Sequence, residues 1–273
     1  MNHLRILILA IACGATLTLA AQQTAQLSRA VDNVPEQRGP VLEVGPAYAS
    51  FQDLRFTSLQ FAGAGATLGI GLRRSSEQVQ RFGGLRLAAV PMTGADGAAT
   101  LLRVRAEANY GLERVLLSQF SGGNLLIGGD VRITGDYLSS GAKGNNGTNL
   151  VTFASLSPRV SYVRKLGRGR FVGSLAVGLL HFGKDNTSWA FSAPQDYLED
   201  GEFDYQPDGA TLAPGTGSSL SVLGQTNSLR TSLAYELGQR WGFRYDWDFL
   251  GYRVVEGYAT RSALHRLTVA FTL

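Results

Sequence analysis

Arginine and acidic residues recur at every second position in several segments of the chain. One segment carries Arg103, Arg105 and Glu107, and another carries Asp246 and Asp248. Side chains two residues apart on a β-strand lie on the same face, so each segment would present a row of charges on one side. The chemistry open to such rows is ion pairing, or the passage of ions and small solutes between them.

The residues between these charges are apolar. Leu102, Val104 and Ala106 alternate with the first row, and similar alternation returns from Gly39 to the end of the chain. A period of two is typical of β-strands with one apolar and one polar face. We count ten such segments: 41–50, 58–73, 83–92, 100–112, 124–138, 149–165, 170–183, 220–237, 241–254 and 260–273.

The length of these segments favours a membrane-spanning barrel over a soluble sandwich. Most exceed the five or six residues usual in soluble strands and reach the ~9 to 11 that a tilted membrane strand needs. Aromatic residues also gather near segment ends on the apolar side, as expected for rings at the membrane interface. They are Tyr48, Tyr110, Tyr137, Tyr162, Tyr235, Trp241, Phe243, Tyr245, Trp247 and Phe249.

The last strand keeps its apolar alternation to the final residue, through Leu267, Val269, Phe271 and Leu273. This ending resembles the C-terminal insertion signal of bacterial outer-membrane β-barrel proteins, in which an alternating strand closes on a hydrophobic residue with an aromatic residue two positions earlier. Leu273 stands where Phe or Trp is usual. The resemblance is to the superfamily, and it implies an outer-membrane location, with membrane lipid and the barrel-insertion machinery as partners.

The first residues look like a secretory signal peptide, because a basic start with Arg5 precedes an apolar run and the small residues Ala20 and Ala21. We predict a signal peptide at 1–21, a periplasmic tail at 22–38 and a barrel at 39–273. A lipoprotein processed at Cys13 is the alternative. Since Cys13 is the only cysteine, no disulfide or thiolate metal site is expected in the mature chain.

The predicted fold is therefore all-β, a transmembrane antiparallel up-and-down barrel of about ten strands. Eight strands would result if short segments are loops, and twelve if 189–191 pairs within a long loop. Short turns at 166–169 and 238–240 would face the periplasm, and longer loops at 139–148 and 184–219 the outside. Segments 74–82 and 113–123 are long for inner turns and are interpreted as strand extensions.

The polar face of these strands would turn toward the lumen. It carries nine arginines, Arg73, Arg86, Arg103, Arg105, Arg132, Arg159, Arg230, Arg244 and Arg266, and seven acids, Glu43, Glu107, Asp130, Asp136, Glu236, Asp246 and Asp248. An isolated buried charge costs several kcal/mol, so we expect an interlocked ion-pair network. Such a network would fill and stiffen a small barrel, or line a narrow passage whose selectivity depends on Arg105, Glu107, Arg132, Asp246 and Asp248.

An enzyme acting on lipid or peptide is the third possibility, since some outer-membrane barrels of this size are proteases, phospholipases or acyltransferases. Such enzymes commonly move a proton with histidine. The mature chain offers His181 and His265, and each shares the side of apolar neighbours such as Leu179 and Leu267. Both are therefore predicted to face outward, and we name no catalytic residue and no cofactor.

The external segment 184–219 is acidic, with seven Asp or Glu and no Lys or Arg after Lys184. Asp200, Glu202 and Asp204 are a weak candidate Ca²⁺ site, because their order is not that of an EF-hand. A solvated acidic loop is the alternative. Aromatic residues lie among the acids, which favours a lid over the barrel mouth or a contact surface.

The sequence pI of about 9.3 does not indicate a nucleic-acid-binding protein. The arginines are spread one or two to a segment and form no basic run, so no electrostatic footprint for nucleic acid is present. Oligomeric state leaves no signal in the sequence.

Overall fold

The computed structural model describes residues 38–54, 59–75, 78–140, 148–187, 218–238, 240–255 and 258–273. Within these ranges the chain forms β-strands joined by turns, as the alternating pattern predicts. No helix in this part of the chain has the length and apolar character needed to cross a membrane. The predicted signal peptide and all but the last residue of the predicted tail lie outside the described residues.

The strands run over the following bounds: β1 Arg38–Asp53, β2 Phe61–Ser75, β3 Val79–Gly94, β4 Thr100–Phe120, β5 Gly123–Ser139, β6 Thr148–Leu166, β7 Gly169–Val177, β8 Leu180–Thr187, β9 Ser218–Val222, β10 Thr226–Leu237, β11 Trp241–Val255 and β12 Tyr258–Thr272. Long strands β3 and β4 include the segments 79–82 and 113–120, so most of both long inner segments is strand, as interpreted from the sequence.

Ten of these strands close a ring. Its order is β1, β2, β3, β4, β5, β6, β7, β10, β11 and β12, and β12 pairs back with β1. All pairings are antiparallel. The predicted ten-stranded antiparallel barrel is confirmed. Twelve strands arise only because two of the ten predicted segments, 170–183 and 220–237, are each interrupted.

The interruption between β7 and β8 is a β-bulge at Gly178 and Leu179. Strand β6 pairs with both β7 and β8, Arg159 with Ala176 and Leu156 with Leu180. Two residues separate Leu156 from Arg159 on β6. Three residues separate Ala176 from Leu180 on the other side, so this side has one extra residue. The Gly178 N–H donates to the Ser228 carbonyl at 2.8 Å, which holds the bulge against β10. One extra residue reverses which side chains face inward beyond this point.

The barrel has two ends, which we name by their connections. The turn end carries the tight turns at 121–122 and 167–168, together with Arg38 and Leu273, where the described chain begins and ends. The loop end carries the turn at 95–99 and the strand ends at Asp53, Phe61 and Ser139. At the turn end the seam between the first and last strands is closed by the Leu273 N–H, which donates to the Pro40 carbonyl at 3.0 Å.

The outer wall is apolar and the lumen is polar. Leu72 is 66% exposed, Leu85 60% and Ile133 57%, whereas Arg103, on the inward side, is 2% exposed. A continuous band of exposed aliphatic side chains is stable in hydrocarbon and unstable in water. In a closed ring the backbone N–H and C=O groups pair within the sheet, so they do not need water as a partner. With this pairing and an apolar outer wall, the molecule is a transmembrane β-barrel.

Aromatic residues predicted for the outer wall are found there. Tyr48, Tyr110 and Trp241 are exposed on that face, and the Trp241 ring lies 4.8 Å from that of Phe271. His265 is also outward, as predicted, and its Nδ1 is 2.7 Å from the Tyr245 hydroxyl. The apolar residues of the last strand, Leu267, Val269, Phe271 and Leu273, share this face.

Candidate functional site in the barrel lumen

The charged side chains of the lumen come from strands all around the ring. Because inward positions alternate, one strand can supply several, as β4 does with Arg103, Arg105 and Glu107. The sequence-predicted acids and arginines on the polar face all lie on the inward side and are buried or partly buried: Glu43, Arg73, Arg86, Arg103, Arg105, Glu107, Asp130, Arg132, Asp136, Arg159, Arg230, Glu236, Arg244, Asp246, Asp248 and Arg266.

Several ion pairs cross the lumen from one wall to the other. Arg132 on β5 donates through Nη1 to Oδ1 of Asp248 on β11 at 2.7 Å. Three strands separate β5 from β11 on the shorter way round the ring. Arg73 on β2 and Glu236 on β10, separated in the same way, also form a hydrogen-bonded ion pair. Opposite walls are therefore in direct contact through their side chains.

Glu107 is paired with three arginines inside the lumen. Its carboxylate lies 3.5 Å from one guanidinium nitrogen each of Arg86, Arg132 and Arg266. These arginines belong to three different strands, β3, β5 and β12. A single buried carboxylate thus joins three walls, and its charge is balanced without a free ion.

A second carboxylate, Glu43 on β1, binds two arginines. Arg86 donates to it from Nε at 2.7 Å and Arg244 from Nη1 at 2.5 Å. Nearer the loop end, Arg103 donates two hydrogen bonds, of 2.9 and 3.0 Å, to Asp136 of the adjacent strand. Such bidentate geometry is the strongest form of arginine–carboxylate pairing.

Three lumen charges were missed by the sequence analysis. Asp53 lies on the inward side of β1 and is 1% exposed. Glu113 is 1% exposed, accepts a hydrogen bond from Ser161 at 2.5 Å and lies 3.3 Å from Arg159. Arg170 pairs with Glu236. Glu113 was assigned to a turn segment, although its spacing of six from Glu107 continues the inward parity and was the available signal.

Toward the loop end the lumen also holds apolar side chains. They come from six neighbouring strands, β12 and β1 to β5, and form a buried cluster, which we call the apolar layer: Ala47, Ala49, Phe51, Phe61, Ala88, Val90, Met92, Leu101, Leu138 and Leu264. A second cluster of Val151, Leu250 and Tyr252 lies on β6 and β11. Packed side chains of this kind leave little room for water between them.

Toward the turn end the lumen holds a cavity of about 100 Å³. Glu43, Arg86, Arg244 and Asp246 are among its lining residues. Asp246 is buried, and its Oδ2 has no hydrogen-bond partner among the described residues. Arg105, also predicted to set selectivity, is buried away from this cavity and has its Nη1 3.8 Å from Oδ2 of Asp136.

The prediction that His181 faces outward is wrong. The side chain is 1% exposed and lies inside the barrel, against the backbone of Gly178. The cause is the bulge, whose extra residue turns His181 inward although Leu175 and Leu179, of the same parity, are exposed. Its cross-strand neighbours are Ser155 and Ser221.

The surroundings of His181 do not assemble a proton relay. Neither ring nitrogen has a side-chain hydrogen-bond partner among the described residues. Nucleophilic catalysis by serine or threonine needs a base within about 3 Å of the hydroxyl. The arrangement offers no such pair, so His181 is a buried lumen residue rather than an assembled catalytic group.

The weak Ca²⁺ candidate, Asp200, Glu202 and Asp204, lies outside the described residues, as does most of the predicted external loop. Within the part of the chain that the structure describes, no three His, Cys, Asp or Glu side chains are grouped to hold a metal ion.

No protein-family model matches the chain, and no curated protein matches its sequence. Among solved structures, the outer membrane protease OmpT from Escherichia coli is 8% identical, with a TM-score of 0.47 over 90% of this chain and 99% of that one. The translocator domain of autotransporter NalP from Neisseria meningitidis is 9% identical, with a TM-score of 0.39 over 96% and 98%. An outer membrane channel from Pseudomonas putida F1 is 9% identical, with a TM-score of 0.34 over 89% and 100%. The likeness is one of fold alone.

Proposed function

We propose that the chain is an integral outer-membrane protein whose closed barrel anchors a surface at its loop end and does not conduct ions or solutes. The observation that carries this proposal is the contact of opposite walls through Arg132 and Asp248. In a wide channel the charges of facing walls are separated by water, whereas here they are hydrogen bonded to each other.

The apolar layer supports the same proposal. Phe51, Val90 and Leu138 come from β1, β3 and β5 and are each 5% exposed or less. Arg103 is the register partner of both Val90 and Leu138, and its charge is already paired with Asp136. The lumen at this level is thus filled by hydrocarbon and by a paired charge, and further ion pairs fill it below.

The surface that the barrel would anchor lies at the loop end and includes the acidic segment between β8 and β9. Strands β8 and β9 pair from Leu180 and Val222 up to Lys184 and Ser218, so the two ends of the acidic segment between them are held side by side on the barrel. A segment attached in this way would be presented outside the membrane, and a structural or surface-interaction role fits that position.

The outer-membrane location and assembly by the barrel-insertion machinery belong to this proposal. They are supported by the closed ring, by the exposed aliphatic band and by a last strand whose Leu267 and Leu273 point outward. In outer-membrane barrels the short turns face the periplasm, so the turn end would lie on the periplasmic side.

Conductance across planar lipid bilayers tests the proposal. The purified full-length chain, refolded into lipid, is expected to give no single-channel steps, while a known porin inserted by the same procedure gives them. Reproducible ion-selective steps from several preparations of the chain would contradict the proposal.

A narrow channel is the second candidate, and the cavity of about 100 Å³ at the turn end favours it. If this cavity continued to the loop end during rare openings, the charged residues around it, such as Asp246 and Arg244, would decide which ions pass. Steps whose cation preference falls in an Asp246→Asn variant would identify this function.

A further inference from the structure

Three arginines form a cluster on the outer wall at the turn end. Arg74 on β2 and Arg81 on β3 are directly opposite each other in the strand register. Arg114 on β4 is the partner of Val79, which places it diagonally across from Arg81. All three side chains are exposed and on the lipid-facing side of the sheet. We refer to them as the arginine triad.

Like charges directly opposite on neighbouring strands destabilise a sheet. Cβ atoms of such partners are only about 5 Å apart. No described carboxylate relieves the repulsion, since Arg74, Arg81 and Arg114 form no ion pair with any described residue. At the turn end, the described acids such as Glu113 and Glu236 point into the lumen. Within the described part of the barrel, the triad therefore has no counter-ion.

The residues beside the triad are apolar and exposed. Leu72 precedes Arg74 on the same face and is 66% exposed. Leu112 is the direct partner of Arg81 and is also exposed. Tyr110 lies one step further into the hydrocarbon zone, with its ring beside Gly83. The triad thus sits at the boundary where lipid acyl chains end and headgroups begin.

We propose that the arginine triad binds the phosphate of an anionic glycerophospholipid in the membrane leaflet at the turn end. Guanidinium groups bind phosphate through paired, charge-assisted hydrogen bonds. The acyl chains of the same lipid would lie along Leu72, Leu112 and Tyr110. This site depends on the barrel spanning a membrane and is independent of whether the lumen conducts.

Retention of lipid by the purified, folded chain tests the site. Dioleoylphosphatidylglycerol and dioleoylphosphatidylcholine are titrated separately into the detergent-solubilised protein, and bound lipid is counted by native mass spectrometry. The wild type is expected to retain phosphatidylglycerol preferentially. A hydrogen bond to a charged group contributes about tenfold in affinity or more, so replacing all three arginines with glutamine is expected to weaken retention at least a hundredfold.

A charge-matched control distinguishes a site from general attraction. Arg164, Arg168 and Arg240 are also exposed at the turn end, and Arg164 has Phe171 as its register partner on β7. The triple variant R164Q/R168Q/R240Q removes the same charge and is expected to retain phosphatidylglycerol almost as the wild type does. The resistance of each variant to unfolding in a heated gel shows that its barrel is intact.

Three results would overturn the proposal. They are equal retention of the two lipids by the wild type, equal losses in the two triple variants, and unchanged retention after R74Q/R81Q/R114Q. Lipid A is titrated as a third lipid, and tighter retention of lipid A than of phosphatidylglycerol would overturn the assignment to a glycerophospholipid. Because conductance plays no part in these readouts, the proposal stands or falls separately from the closed-barrel function.

Discussion

Asp248 on β11 accepts hydrogen bonds from Arg132, which reaches it from the far wall at 2.7 Å, and from Arg266 on the adjacent strand. All three side chains are 3% exposed or less. Asp248 thus shares two buried guanidinium groups with Glu107. The stability of the barrel is expected to depend on this residue more than on a lumen acid that forms no ion pair.

Replacing Asp248 with Asn keeps the shape of the side chain and removes the charge. Breaking a buried ion pair from one side costs about 3–5 kcal/mol, because the remaining charge stays buried without its partner. The free energy of unfolding, measured by urea titration in lipid vesicles, is expected to fall by this amount. Asp246→Asn is the matched control, since Asp246 lies two positions earlier on the same face and forms no ion pair within 4 Å with any described residue. Equal losses in both variants would contradict the account.

The packing of His181 against Gly178 gives a second prediction. A Cβ at position 178 would lie 2.3 Å from Cε1 of His181. Gly178→Ala is therefore expected to destabilise the barrel by about 1–3 kcal/mol, as overpacking does in other interiors. Adding His181→Ala to it should recover much of the loss, because the clashing ring is gone. If His181 pointed into lipid, Gly178→Ala would be nearly neutral and the second substitution would change nothing.

Adjacent residues on β3 test which way the wall faces and whether the lumen is wet. Leu87 is 48% exposed toward lipid, and Ala88 is 3% exposed in the apolar layer. In a Cys13→Ser background, Leu87→Cys in proteoliposomes is expected to react with a lipid-soluble maleimide and not with a charged one. Ala88→Cys should react with neither until the protein is unfolded. Rapid labelling of Ala88→Cys by the charged reagent would reveal a water-filled lumen.

The strand pattern was predictable where the two faces differ strongly in polarity. On β4 and β11 each arginine or aspartate alternates with an apolar residue, so the strands and their inward sides follow from the period of two. Because lipid hydrocarbon lies outside the barrel and ion pairs lie inside it, the charged face of such a strand can point only into the lumen. The ten-stranded ring followed because nearly every strand shows this contrast.

Three features were beyond the sequence for definite reasons. The inversion at His181 depends on one extra residue at Gly178, and a bulge has no fixed sequence signature. The apolar layer could not be recognised, because around Ala47 and Phe51 both faces carry small or apolar residues and parity carries no polarity signal. The choice of partners, such as Arg132 with Asp248, depends on strand register and on the distance across the ring, which composition does not encode.

A double-mutant cycle on Arg132 and Asp248 tests the central claim most directly, because it measures whether the two walls touch at this point. Arg132→Gln, Asp248→Asn and the double variant are compared with the wild type by urea unfolding in the same lipid vesicles. A coupling energy of about 1–3 kcal/mol is expected for side chains in direct contact. Additive effects, with a coupling below about 0.5 kcal/mol, would show that the residues are far apart and that the lumen is not closed by their contact.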